Sequence, residues 1–394
     1  MATVGVALVA GRTGIPASVG LVLVGLGVSV VGPDVGVPVP PGLLLAIVLP
    51  GLVFEAAFRT DREVLRPAVV PILVLAIPGV VIVAAIVALV LASTTALSPT
   101  EGFLVGAMVA ATDPAAVLST FRRIPVPRRL ATMVEMESLV NDGTGIVLFV
   151  LALDLLAGGG TVGGSVVAFV VRVAGGALVG AAFGWLGARL VRGLDDHLAE
   201  LTVTVVLAYG TYLVAEAAGL SGVIATLVAA GTFGATARDG LTARAIEAID
   251  VVWEFAAFLL TAGVFLLVGL SIAPQALLHA AGAIGWGIAA VLAARAVVVF
   301  GVLGAGSALA RDLSARLRRP ARAFDELPPS WLVVLFWAGL RGAVSVALAL
   351  SLPPTLVHRD LIQGVTYGIV LFTLIVQGTT AGWIVRRAGL ATSR

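Results

Sequence analysis

Two short stretches concentrate oxygen-bearing side chains inside otherwise apolar sequence: "ATDPAAV" (111–117) and "ESLVNDGTGIVLF" (137–149). Thr112, Asp113, Asn141 and Asp142 offer hydroxyl, amide and carboxylate oxygens, the ligands that small hard cations prefer. Removal from water favours a protonated acid, whereas a bound cation favours the ionised one. One such site holds either a proton or a metal ion, and that is the chemistry of exchange. Glu137 lies four residues before Asn141 and so faces nearly the same way on a helix. Unpaired at depth it is expensive. Arg295 and Arg341 are the central positive charges, and because Arg keeps its proton, pairing with either neutralises Glu137 permanently. Such a pair serves either as a lock between two helices or beside a direct role of Glu137 as an ion ligand; the spacing leaves both open. Glu135, one heptad before Asp142, reads as an entrance residue or a more distant acid of the site. Glu55 and Glu254 read as satisfied interfacial charges, and Glu101, Asp154, Glu216 and Asp250 as lying close to water.

Apolar helices must carry these residues. Of the 394 residues, 60% are hydrophobic and 12% charged, with a mean hydropathy of +1.13, outside the range of soluble domains. A helix crosses the hydrocarbon with about 20 apolar residues, and turn or Arg clusters cut the chain near 17–31, 43–58, 67–92, 102–121, 130–156, 165–188, 198–216, 219–236, 248–271, 283–310, 331–353 and 362–385. Residues 1–10 read as the end of a further, clipped or short helix, without the basic start or cleavage site of a signal peptide. The expected fold is an all-α polytopic membrane protein with about 12–13 spans. There is no Cys, hence no disulfide framework or thiolate chemistry. The formal charge of +2 is too small to suggest a nucleic-acid partner. All 24 basic residues are Arg. If the spans alternate, nearly all of these fall on one side and only Arg359 in the opposite loops, which places the Arg-rich side and the C-terminus in the cytoplasm. His197, His279 and His358 fall at span ends or in loops.

An interrupted span recurs in each half. In "GAMVAATDPAAVL" (106–118), Pro114 lacks an amide hydrogen and disfavours helix at Asp113. In "WAGLRGAVSVALALSLP" (337–353), Gly339 and Gly342 flank Arg341. Paired broken helices point to a transporter site between inverted repeats, although glycine and proline also serve close packing alone. "GLSG" (219–222) matches a string of intramembrane serine proteases, but no His lies mid-span to act as base, and HExxH is absent. A channel requires a continuous pore instead of one titratable site.

Together "FEAAFRTD" (54–61), "ATDPAAV", "ESLVNDGTGIVLF", "AEAAGLSGVIA" (215–225), "WEFAAFLL" (253–260) and "GLRGAVSVALALSLP" (339–353) resemble the NhaP-type sodium/proton antiporters of the cation:proton antiporter-1 family, in order over almost the whole chain. The resemblance implies a homodimer of 13-span chains in the cytoplasmic membrane, with no cofactor and no enzymatic activity. It also implies two crossing broken helices in an ion-translocating core (67–157 and 283–394) that moves against a dimerisation domain (1–66 and 158–282, the latter including a linker helix). By the same likeness Asp142 carries cation or proton. Asn141 is its structural neighbour, and Asp113, Thr112 and Ser138 complete the sodium ligands. The family's Glu matching Glu137 contacts an Arg, with Arg295 preferred over Arg341. Met136 departs from the family, which often has Gly between the two Glu residues. Asn141 cannot titrate and no Lys exists, so electroneutral exchange of one sodium (or lithium) ion for one proton is expected, with potassium as the alternative cation.

Overall fold

Proline and glycine fix where the helices stop. The computed structural model describes residues 16–31, 41–237, 240–272, 274–316 and 327–390; the short helix expected at residues 1–10 lies outside them. In chain order the helices are α1 (Ala17–Val31), α2 (Pro41–Arg59), α3 (Arg62–Thr94), α4 (Pro99–Ala110), α5 (Ala115–Arg123), α6 (Arg128–Leu156) and α7 (Val162–Val191). They continue with α8 (His197–Ala217), α9 (Gly222–Ala237), α10 (Ala243–Ser271), the short α11 (Pro274–His279), α12 (Ala281–Asp312), α13 (Pro329–Trp337), α14 (Ala343–Leu350) and α15 (Arg359–Arg387). Among the described residues, eight helical segments are long and apolar enough to cross a membrane, counting α4 with α5 as one. The apolar α1 and α9 are shorter.

Local chemistry explains the joints. Pro99 occupies the first turn of α4, where a missing amide hydrogen costs nothing, and Ser98 with Glu101 closes a reciprocal capping box. Glu101 is therefore not the water-facing acid expected of it. It is 6% exposed, because its carboxylate accepts from the Ser98 amide at 2.8 Å and meets His358 Nδ1 at 2.9 Å. Pro78 bends α3 at Ile77, and the Thr144 hydroxyl of α6 donates to the Ala76 carbonyl beside that bend. Three helices pass through π-helical turns, at Val206–Gly210, Val297–Gly304 and Thr373–Gln377.

Small residues then decide which helices meet. α7 packs on α9 with Gly176, Gly180 and Gly184 against the backbone of Ser221, Ala225 and Ala229. A Cβ at Gly180 would overlap the Ala225 carbonyl, so glycine sets the distance of approach. The opposite face of α7 leaves Val166, Val170, Leu178 and Leu186 exposed, a surface suited to lipid. α1 packs on α10, and α2 on α9 and α10. Separately, α3 packs on α4 and α12, α4 on α6, and α12 on α15. α6 lies between the two groups, touching α3 and α4 on one side and α7 and α9 on the other.

Candidate functional site

The two interruptions meet. Residues 111–114 separate α4 from α5 and residues 338–342 separate α13 from α14. Across the gap the Asp113 amide donates to the Leu340 carbonyl at 2.7 Å, giving partners to two backbone groups that a broken helix would otherwise orphan. Asp113 Oδ1 accepts from the Ala115 amide at 2.9 Å, giving a partner to one of the amides left open at the start of α5. The carboxyl lies directly against Gly342, where any Cβ would overlap it; only glycine permits this approach. The Arg341 amide donates to Thr373 Oγ1 at 3.0 Å, tying the second interruption to the π turn of α15.

From α6, Asn141 grips the first interruption at two points. Its Oδ1 accepts from the Thr112 amide at 3.0 Å and its Nδ2 donates to Thr112 Oγ1 at 2.7 Å, so both ends of one carboxamide are used. A carboxylate in its place would lack the donor. Thr112 Oγ1 is also 2.9 Å from Ser138 Oγ, which donates to the Val134 carbonyl. Thr112, Ser138 and Asn141 thus form one buried network.

Asp142, adjacent in sequence, faces elsewhere. With Thr112 and Asp113 it lines a cavity of about 380 Å³ that also reaches Glu135, Arg122, Glu55 and Arg59. Ser138, Asn141 and Glu137 do not line it. Among the described residues no donor bonds the Asp142 carboxylate, which shares the cavity with the Asp113 carboxyl. At the mouth, Arg59 bridges Glu55 (2.7 Å), Glu254 (3.1 Å) and Asp250 (3.4 Å), joining α2 to α10. Among the described residues no three His, Cys, Asp or Glu side chains gather as a resident metal cluster would; the oxygen-bearing side chains that share the cavity with Asp142 include Asp113 and Thr112.

Glu137 points away from the cavity and is 2% exposed. Its carboxylate takes both terminal nitrogens of Arg295, Nη1 to Oε1 and Nη2 to Oε2, the latter at 3.0 Å. Nη2 also donates to the Leu335 carbonyl at 2.8 Å. This two-point geometry is the strong form of the pair, and it joins α6 to α12 and to the last turn of α13. Arg341 is fully buried, and its Nε and Nη1 have no hydrogen-bond partner among the described residues.

Residues 1–387 match the family described as "Sodium/hydrogen exchanger, transmembrane". The chain belongs to the sodium/hydrogen exchanger family. This exchanger is 36% identical over 387 residues to the Na(+)/H(+) antiporter NhaS2 of Synechocystis, covering 98% of this chain and 68% of that one. It is 37% identical over 385 residues to the Na(+)/H(+) antiporter ApNhaP of Aphanothece halophytica (96% and 71% covered), and 35% identical over 357 residues to NhaP of Pseudomonas aeruginosa (88% and 81%). The fold is similar to the sodium proton antiporter MjNhaP1 of Methanocaldococcus jannaschii at pH 8, with a TM-score of 0.77 at 20% identity over 99% of this chain and 96% of that chain. The exchanger family is one of transporters, not enzymes. Accordingly the Ser221 hydroxyl of the protease-like "GLSG" accepts from the Ile224 amide at 3.3 Å and serves the first turn of α9. Two features of the exchanger escaped the sequence. The Arg59 bridge depends on acids contributed by α10, and Ser345, which also lines the cavity, stands as a lone hydroxyl among apolar residues.

Proposed function

We propose that this exchanger moves a monovalent cation, sodium and also lithium, against a proton by alternating access, with Asp142 holding one or the other. The observation that carries the proposal is that Asp142 is a carboxylate with neither an ion-pair partner nor a hydrogen-bond donor among the described residues, in a cavity shared with Asp113 and Thr112. Glu137 is committed to Arg295 and Asp113 to the start of α5, so neither is as free to exchange its occupant.

The cycle follows from charge. A bare carboxylate is costly to carry past an apolar barrier, so the core (67–157 and 283–394) moves against the rest (1–66 and 158–282) when Asp142 is occupied. With the Arg-rich side in the cytoplasm, the cavity mouth at Arg59 and Arg122 faces inward, and the C-terminus is cytoplasmic. Sodium binds there as the proton leaves. On the outer side a proton displaces it. Asn141 is spent on Thr112 and cannot titrate, so one cation exchanges for one proton without net charge. The protein functions as a homodimer in the cytoplasmic membrane.

Proteoliposomes reporting internal pH and membrane potential test this reading, with sodium, lithium and potassium added in turn. Lower pH protonates more Asp142, so the apparent KM for sodium is expected to rise as pH falls, by up to roughly tenfold per unit at the acid end, with the maximal rate unchanged and no potential generated. A KM independent of pH sinks the shared site, a transport-driven potential sinks electroneutrality, and faster exchange with potassium moves the substrate to the alternative cation.

A further inference from the structure

The first interruption and α6 supply Thr112, Asp113 and Asp142, and α14 adds to the same cavity an oxygen without a partner among the described residues. Ser345 is the third residue of α14 and is 1% exposed. It lines the cavity that holds Thr112, Asp113 and Asp142. Its hydroxyl has no hydrogen-bond partner among the described residues.

Ser138, Thr366 and Thr373 satisfy their buried hydroxyls on a carbonyl about one turn back, at Val134, Ile362 and Val370, whereas Thr211, like Ser345, has no partner among the described residues but does not line the cavity. Four residues before Ser345 stands Arg341, in the unwound segment, so the interruption takes that partner away. Buried hydroxyls are rarely left unpaired, because the desolvation penalty is uncompensated, and alanine, already frequent in α14, would avoid it. Arg341 and Gln377 also hold buried unpartnered atoms, but neither lines the cavity. Ser345 combines an idle oxygen with that position.

We propose that Ser345 Oγ is a ligand of the transported cation, supplied by the second interrupted helix to the cavity that Asp142 and Asp113 line. This rests on the reading of Asp142 as the cation carrier. A neutral hydroxyl oxygen replaces one water of a dehydrating alkali ion, whereas a protonated carboxyl gains from it at most one neutral hydrogen bond. It therefore biases the competition toward the cation.

The test compares the parent with Ser345→Ala and Ser345→Thr in proteoliposomes, and in detergent by thermal unfolding with and without sodium chloride, choline chloride serving as the ionic-strength control. Ser345→Ala is expected to raise the sodium KM about three- to tenfold, as a single hydrogen-bonding oxygen does, with the rate at saturating sodium retained. It is expected to keep its sodium-free Tm and to lose part of the sodium-specific rise in Tm. Ser345→Thr keeps the hydroxyl and restores the KM. If Ser345→Ala has the parent's KM and the parent's sodium-specific rise in Tm, the hydroxyl is no ligand. A Tm lowered already without sodium assigns it a structural role and overturns the proposal. A parent protein without sodium-driven proton flux overturns the underlying reading of Asp142 instead.

Discussion

Asp142→Asn is expected to reduce sodium-dependent proton flux in proteoliposomes to the rate of protein-free liposomes, while the protein still inserts and elutes as the parent does. The amide has nearly the shape of the carboxyl but neither exchanges a proton near neutral pH nor offsets a cation's charge. Because the side chain is half-buried beside Asp113 and accepts no hydrogen bond from the described residues, a neutral group there is expected to leave Tm equal or higher. Loss of activity with preserved folding thus separates this residue from one that holds the structure together. Residual exchange at a substantial fraction of the parent's rate would falsify the assignment.

Glu137→Gln should do the opposite, weakening the fold before the transport chemistry. Arg295 would keep the Leu335 carbonyl but lose its counter-charge while remaining buried. Arg341, close enough for like-charge repulsion, would then act on it unopposed. Breaking one side of a buried pair costs about 3–5 kcal/mol, to be read as a marked fall in Tm and in the yield of folded protein. The paired replacement Glu137→Leu with Arg295→Met is expected to recover most of that loss, since apolar substitutes of similar volume avoid the desolvation of both charges. The comparison also decides what the sequence left open. A Glu137→Gln protein that is as stable as the parent yet inactive would make Glu137 an ion ligand and the arginine contact incidental.

What could be read from sequence depended on how far each constraint reaches along the chain. The first interruption is visible because Pro114 acts on its immediate neighbours, and the second because Gly339 and Gly342 flank a charge in an apolar run. Asp142 stands out by its cost in that setting. Arg295 and Arg341 are equivalent by composition, and only the packing of α12 on the end of α13, which brings Arg295 to Glu137 across 158 positions, separates them. Asn141 was legible as a neighbour of Asp142 but not as the clamp on Thr112, because that role needs the crossing to exist. Glu101 misled because a span-end position suggests water, whereas the cap and His358 enclose it. The π turns left no signal at all. Their extra residue per turn has no compositional mark, and Val297–Gly304 reads as uninterrupted apolar helix.

The peptide group shared between Asp113 and Leu340 has a bearing on how such proteins can be recombined. Shifting either segment of the crossing by itself would leave the Asp113 N–H and the C=O of the fully buried Leu340 without each other, and a buried carbonyl without a donor costs a few kcal/mol. Chimaeras that graft one half of the chain onto a relative must therefore match both interruptions together, as a single inherited joint.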